Sequence, residues 1–147
     1  MRAVGLITAA IAVGTLLGHP SRQERVDREP TRSVWDSVYT DSQAVRGDPL
    51  YQAACGKCHG ATLAGGDDGT PLTGAIFLSN WNGQTLADLY DRIRNSMPPD
   101  NPSSIPRGQV ADILAYMLAR NHFPSGRVVL SDDAARLKDV KFLQSKP

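Results

Sequence analysis

Cys55-Gly56-Lys57-Cys58-His59 is the stretch on which the fold turns, and its two thiols are the only cysteines in a chain of 147 residues. Two thiols three positions apart at a helix end can add to the two vinyl groups of one haem, and the adjacent imidazole then lies under the iron as proximal ligand. Three other uses of the pair fit less well. A disulfide inside the motif would close a tiny loop and leave His59 unexplained. A thioredoxin-like dithiol belongs where a strand feeds a helix, and no strand pattern precedes Tyr51–Ala54. Zinc as a rule needs four ligands, and no second cysteine pair or H-x-H spacing completes the set.

Upstream of the motif, Thr40 and Gln43 have capping-box spacing, and the residues through Tyr51 to Ala54 are compatible with helix. Pro49 interrupts them, so helix is expected to begin twice, with Asp48 capping a short second segment and Pro49 at its first position. Downstream, glycines 60, 65, 66, 69, 74 and 83 together with Pro71 predict one long ordered loop, which needs something to wrap around. Thr85 with Asp88 opens a helix whose Leu86, Leu89, Tyr90 and Ile93 share a face, and Pro98 and Pro99 end it. Arg107 to Arg120 predicts a third helix, with Val110, Ile113, Leu114 and Met117 in the 3.6-residue period and Asn121 as C-terminal cap. Ser131 is expected to cap a short polar helix from Asp132 to about Lys138, in a tail lying on the surface. The class is all-α, three main helices and long loops around one cofactor, with no alternating strand pattern.

A second axial ligand must come from Met97, Met117, His122 or His19. His19 lies where a leader would be cut, Met117 is on the apolar stripe of the last helix as core, and His122 follows a helix end as an exposed polar residue. Met97 differs: Pro98 biases it out of helical geometry where the second helix stops, and it lies 38 residues beyond His59, enough chain to pass around a haem. Met97 is the expected distal ligand, with an open or His-ligated iron as the alternative.

The chain opens with Arg2 and an uncharged run from Ala3 to Gly18, which reads as a signal peptide over 1–19 or an uncleaved anchor, without a lipoprotein cysteine. Residues 20–37 are charged and poor in apolar side chains, the composition of a polar linker. Loss of Arg2 takes one from the sixteen Lys and Arg and leaves them equal to the fifteen acidic residues. That neutrality gives no support for nucleic-acid binding. The nine aromatic residues are few for a domain of this size, which would gain from a large apolar object at its centre.

With these residues in view, the sequence resembles a class I cytochrome c from about Val38 to Gly126, followed by an extension over 127–147 with a short helix. More narrowly it resembles the single-haem subunits and domains that accompany bacterial quinoprotein dehydrogenases. The likeness rests on the runs Cys55 to Gly60, Phe77 to Gly83, Ser96 to Pro98, Ala111 to Tyr116 and Asn121 to Pro124. It implies a cytochrome c-like fold in which Gly47 and Tyr51 on an early helix meet Tyr116 on the last one; Pro49 departs from the pattern at that helix. It further implies that Pro71, 12 residues after His59, offers its carbonyl to the proximal imidazole, and that the Trp81 indole donates to a haem propionate.

The expected function is that of a periplasmic single-electron carrier, not an enzyme, with one covalent heme c, its iron held by His59 and Met97. Alternatives are a haem subunit of a quinoprotein dehydrogenase complex and a catalytic or sensory haem with an open distal site. Expected partners are redox proteins, such as a quinoprotein dehydrogenase and a terminal oxidase or another cytochrome. They would dock near Lys57, Gly60 or the Met97 loop, and a membrane enters only if the N-terminal segment stays uncleaved.

Overall fold

Thr40 and Gln43 do open a helix. Gln43 N–H donates to the Thr40 hydroxyl and Thr40 N–H to the Gln43 side chain, both at 3.3 Å, at the start of α1 (Asp41–Ala54). The computed structural model describes residues 32–147. The leader, His19 and the first part of the linker lie outside the described residues. After α1 come α2 (Gly56–His59), α3 (Gly74–Trp81), α4 (Leu86–Ser96), α5 (Arg107–Arg120) and α6 (Ala134–Leu137), framed by two short strands, β1 (Arg32–Ser33) and β2 (Val140–Lys141).

The centre of the molecule is the crossing of α1 and α5, and Gly47 makes it possible. A methyl group on Gly47 would overlap the Asp112 carbonyl oxygen and lie 2.8 Å from Tyr116 Cβ, so the backbones approach as closely as two helices can. One turn on, the Tyr51 and Tyr116 rings meet at 5.4 Å, and at the rim Arg46 pairs with both carboxylate oxygens of Asp112. The contacts expected of Gly47, Tyr51 and Tyr116 are present. Pro49 does not split the helix, contrary to the expectation of two starts. Pro49 and Val45, whose carbonyl loses its intrahelical donor, are both exposed, so water can take the missing bond.

The loop reading of residues 60–83 also needs correction, because α3 stands inside it. Phe77 and Trp81 are one turn apart with rings 6.4 Å apart, a spacing that the surrounding glycines obscure in the sequence. Helix α4 starts at the capping box of Thr85 and Asp88, whose bonds to the Thr85 side chain and backbone hold the Asp88 carboxyl below its usual range. Helix α5 has the predicted bounds, and its buried Val110, Ile113, Leu114, Met117 and Leu118 fill the core against α1 and α4.

Both chain ends of the described region are part of the fold. The tail does not lie on the surface: Leu137, Val140 and Phe142 are buried, and β2 pairs in parallel with β1. The same pairing overturns the linker reading for residues 32–34, where Val34 is fully buried, and it adds strand that the pattern did not predict. Two residues are too few for alternation to register. The cap of α6 is Asp133, which accepts from Ala135 N–H, while Ser131 holds the Asp133 N–H one step earlier.

Gln43 joins α1 to this C-terminal segment. Its buried amide donates to Leu130 C=O at 3.0 Å and accepts from Leu130 N–H at 2.7 Å. Gln43→Ala leaves a buried peptide group unpaired at both ends and should cost about 2–4 kcal/mol. A fall in the urea midpoint with unchanged slope is the expected reading, and a midpoint equal to the wild type would refute it.

Candidate functional site

The carboxyl end of α1 presents the two thiols and the imidazole together. Cys55 is the junction of α1 and α2, and the single turn Gly56–His59 brings Cys58 and His59 round by helical spacing. Tyr51 stabilises this turn twice: its carbonyl accepts from Cys55 N–H, and its hydroxyl donates to Gly60 C=O at 2.7 Å. Burial holds the Tyr51 phenol well above its ordinary range, so it remains a donor.

The thiols are half-buried and unjoined. Burial, reinforced by Cys58 nearby, pushes the Cys55 thiol up to about 11, which leaves it a neutral, apolar group rather than a thiolate nucleophile. Among the described residues no three His, Cys, Asp or Glu side chains gather as a metal site, so the pair has no partners for zinc.

His59 is oriented by the loop. Its Nδ1 lies 2.7 Å from the Thr70 carbonyl oxygen, and because a carbonyl only accepts, Nδ1 carries the proton and Nε2 is the nitrogen that makes no bond within the fold. The expected acceptor was the Pro71 carbonyl; the structure puts Thr70 in that role. Both belong to one stiff unit, since Pro71 restricts Thr70 to extended backbone and its peptide packs against Gly65. Gly69 seats the loop on the motif: a Cβ there would lie 2.6 Å from Cys58 O and 3.0 Å from His59 Nδ1. Neither Thr70 nor Gly69 was legible as a site residue, because an acceptor carbonyl leaves no side-chain signature.

Asn121 ties the same loop to the core. Its buried side chain donates to Leu72 C=O and to Met117 C=O, both at 2.9 Å, and accepts from Gly74 N–H at 3.2 Å. It thus caps the end of α5 and the start of α3 at once, where Thr73 supplies no side-chain cap. The sequence pointed to Asn121 as a helix end and missed this second task.

Met97 is the C-cap of α4, with extended backbone (φ −122°, ψ 145°) and a half-buried side chain, the geometry Pro98 was expected to impose. Met117 is buried in α5, and His122 is exposed beyond it with φ at 64°. Trp81 ends α3, half-buried, and its indole N–H has no acceptor among the described residues.

These features fit a flat apolar group attached by two thiols. Two free thiols and an imidazole whose Nε2 makes no bond within the fold stand together at the end of α1. Gly69 lets the loop close directly on Cys58 and His59, and Leu50, Leu72, Leu78, Trp81 and Ile105 remain only partly covered by the core.

No curated protein sequence matches the chain. Among solved structures the chain is similar to the sulfane dehydrogenase SoxCD from Paracoccus pantotrophus, at 19% identity and a TM-score of 0.46, over 88% of this chain and 68% of that one. Residues 42–117, more than half of the chain, match the family described as cytochrome c oxidase, cbb3-type, subunit III. With the family's motif held as the geometry above describes, the chain belongs to that family and is a c-type cytochrome, a covalent-haem protein that transfers electrons.

Proposed function

We propose that the chain is an exported single-electron carrier with one haem, attached through Cys55 and Cys58 and held by His59 on one side and Met97 on the other. The observation that carries the reading is the His59–Thr70 bond beside two unpaired thiols, which fixes the imidazole with Nε2 as its only free nitrogen. The haem supplies an iron that changes charge by one unit, with a potential raised by thioether ligation and by burial.

The residues of the chain keep that change from disturbing anything else. Thr70 holds the proton of Nδ1 and fixes the ring plane, Tyr51 pins Gly60 directly after it, and Asn121 locks the loop to α5. Met97 sits between the end of a capped helix and Pro98, so its backbone has little freedom to rearrange. With His59 and Met97 both holding it, the iron would have no position left for a substrate, which favours a carrier over a catalytic or sensory haem. The half-buried Trp81, whose indole N–H has no acceptor among the described residues, would donate to an acidic edge of the cofactor.

Covalent attachment and the apolar run Ala3–Gly18 together support export to the periplasm, with redox proteins as partners. Among the described residues no helix is long and apolar enough to cross a membrane.

Met97→Ala tests the ligation. The ferric thioether signature of the wild type should vanish, and the reduced variant should bind carbon monoxide rapidly where the wild type resists it. A variant with an unchanged spectrum would show that the sulfur of Met97 is not a ligand.

A further inference from the structure

Helix α4 delivers Met97, and much of what holds α4 in place comes from the chain beyond residue 130. It packs against both α6 and α5. Midway along it, the Tyr90 hydroxyl donates to Asp132 C=O at 2.9 Å, with Arg107 C=O of α5 farther off at 3.4 Å. At its start, Thr85 bridges Lys141, and the turn 82–84 is bound by Phe142 through two backbone bonds of 2.8 Å, Gly83 N–H to Phe142 C=O and Phe142 N–H to Gln84 C=O. Gln144 N–H adds a bond to the Asn82 side chain, and Lys141 Nζ one to Gly83 C=O.

This strap is itself anchored. The Phe142 ring is fully buried, 5.8 Å from Phe77 and 5.4 Å from Phe123, and the Trp35 indole donates to Leu143 C=O at 3.0 Å. It lies outside the family match, which ends at residue 117.

We propose that the C-terminal segment 132–144 is a clamp that positions α4 and thereby keeps Met97 on the iron, with Tyr90 and Phe142 as its positioning residues. The α1–α5 crossing receives none of these bonds, so loosening the strap acts on α4 while the crossing stands. Ligand release at Met97 is then governed by a local opening of α4 rather than by global unfolding. The proposal rests on the Met97 ligation put forward above.

Two matched substitutions test it in the haem-loaded full chain. Tyr90→Phe removes the hydroxyl that binds Asp132 C=O of the strap at 2.9 Å and reaches Arg107 C=O of α5 at 3.4 Å, so Phe142→Ala is paired with it to strike the strap alone. Tyr39→Phe removes the bond from Tyr39 to Phe123 C=O, 2.7 Å long and away from α4. Imidazole entry to the ferric iron and hydrogen exchange of the α4 amides should both rise about fivefold in Tyr90→Phe and stay at the wild-type level in Tyr39→Phe, a factor typical of one lost hydrogen bond. Phe142→Ala should raise both further. Equal acceleration by Tyr39→Phe, or α4 exchange unmoved by Tyr90→Phe, overturns the clamp. Faster α4 exchange with imidazole entry unchanged also overturns it and leaves the Met97 ligation intact. A wild-type protein without the thioether signature takes down both.

Discussion

Gly47→Ala is expected to lose about 3 kcal/mol or more of folding stability, although the same change in an ordinary helix would gain about 1 kcal/mol. The sign reverses because of what the methyl group meets. It would overlap the Asp112 carbonyl oxygen and lie 2.7 Å from the carbonyl carbon, and neither can rotate aside as a side-chain end could. The helices must part, and parting them loosens the Tyr51–Tyr116 contact and the Tyr51 bond to Gly60 that steadies the motif. A loss of that size is a large share of the 5–15 kcal/mol typical of a domain, so little coloured protein should accumulate. Gly108→Ala is the control: it lies in the first turn of α5 with nothing within 4 Å of a new methyl, and it should stabilise by up to about 1 kcal/mol. Urea unfolding of the two variants decides the matter, and equal midpoints would show that the crossing has slack.

The parts of this molecule that could be read from its sequence are those encoded by side chains acting locally. The capping boxes at Thr40 and Thr85, the apolar period of α5 and the arrest of α4 before Pro98 are each set by residues within a few positions of one another, and each appears where expected. The cysteine motif belongs to the same class. What failed to register depends on partners far along the chain. Val34 and Phe142 lie in short stretches with no helical or strand period, and contacts made far along the chain, the pairing of β1 with β2 and the packing of Phe142 on Phe77 and Phe123, turn them into core. Helix α3 was hidden by glycines at both ends, which set its entry and exit but not its interior. The shift from Pro71 to Thr70 as acceptor has a different origin: the choice between adjacent carbonyls is made by loop geometry around Gly65 and Gly69, which no single residue type announces.

The double change Cys55→Ala with Cys58→Ala should abolish covalent haem and cost about 4 kcal/mol or more, well above the sum of the two single changes. The reason is effective concentration. One remaining thioether would still tether the cofactor and supply it at about millimolar levels, so each single variant should keep colour and lose only about 1–2 kcal/mol. With neither tether the cofactor must bind from solution, and at the low free concentrations available the folded state loses the mass-action support worth about 4 kcal/mol at a thousand times the dissociation constant. His59, with Nε2 bare, can then recruit haem only weakly, and the apolar faces meet water instead. A covalent-haem stain after denaturing electrophoresis reads attachment, and urea midpoints of the wild type, both singles and the double read the coupling. Losses that simply add would mean that the two thiols act independently, and stain persisting in the double variant would place the attachment elsewhere.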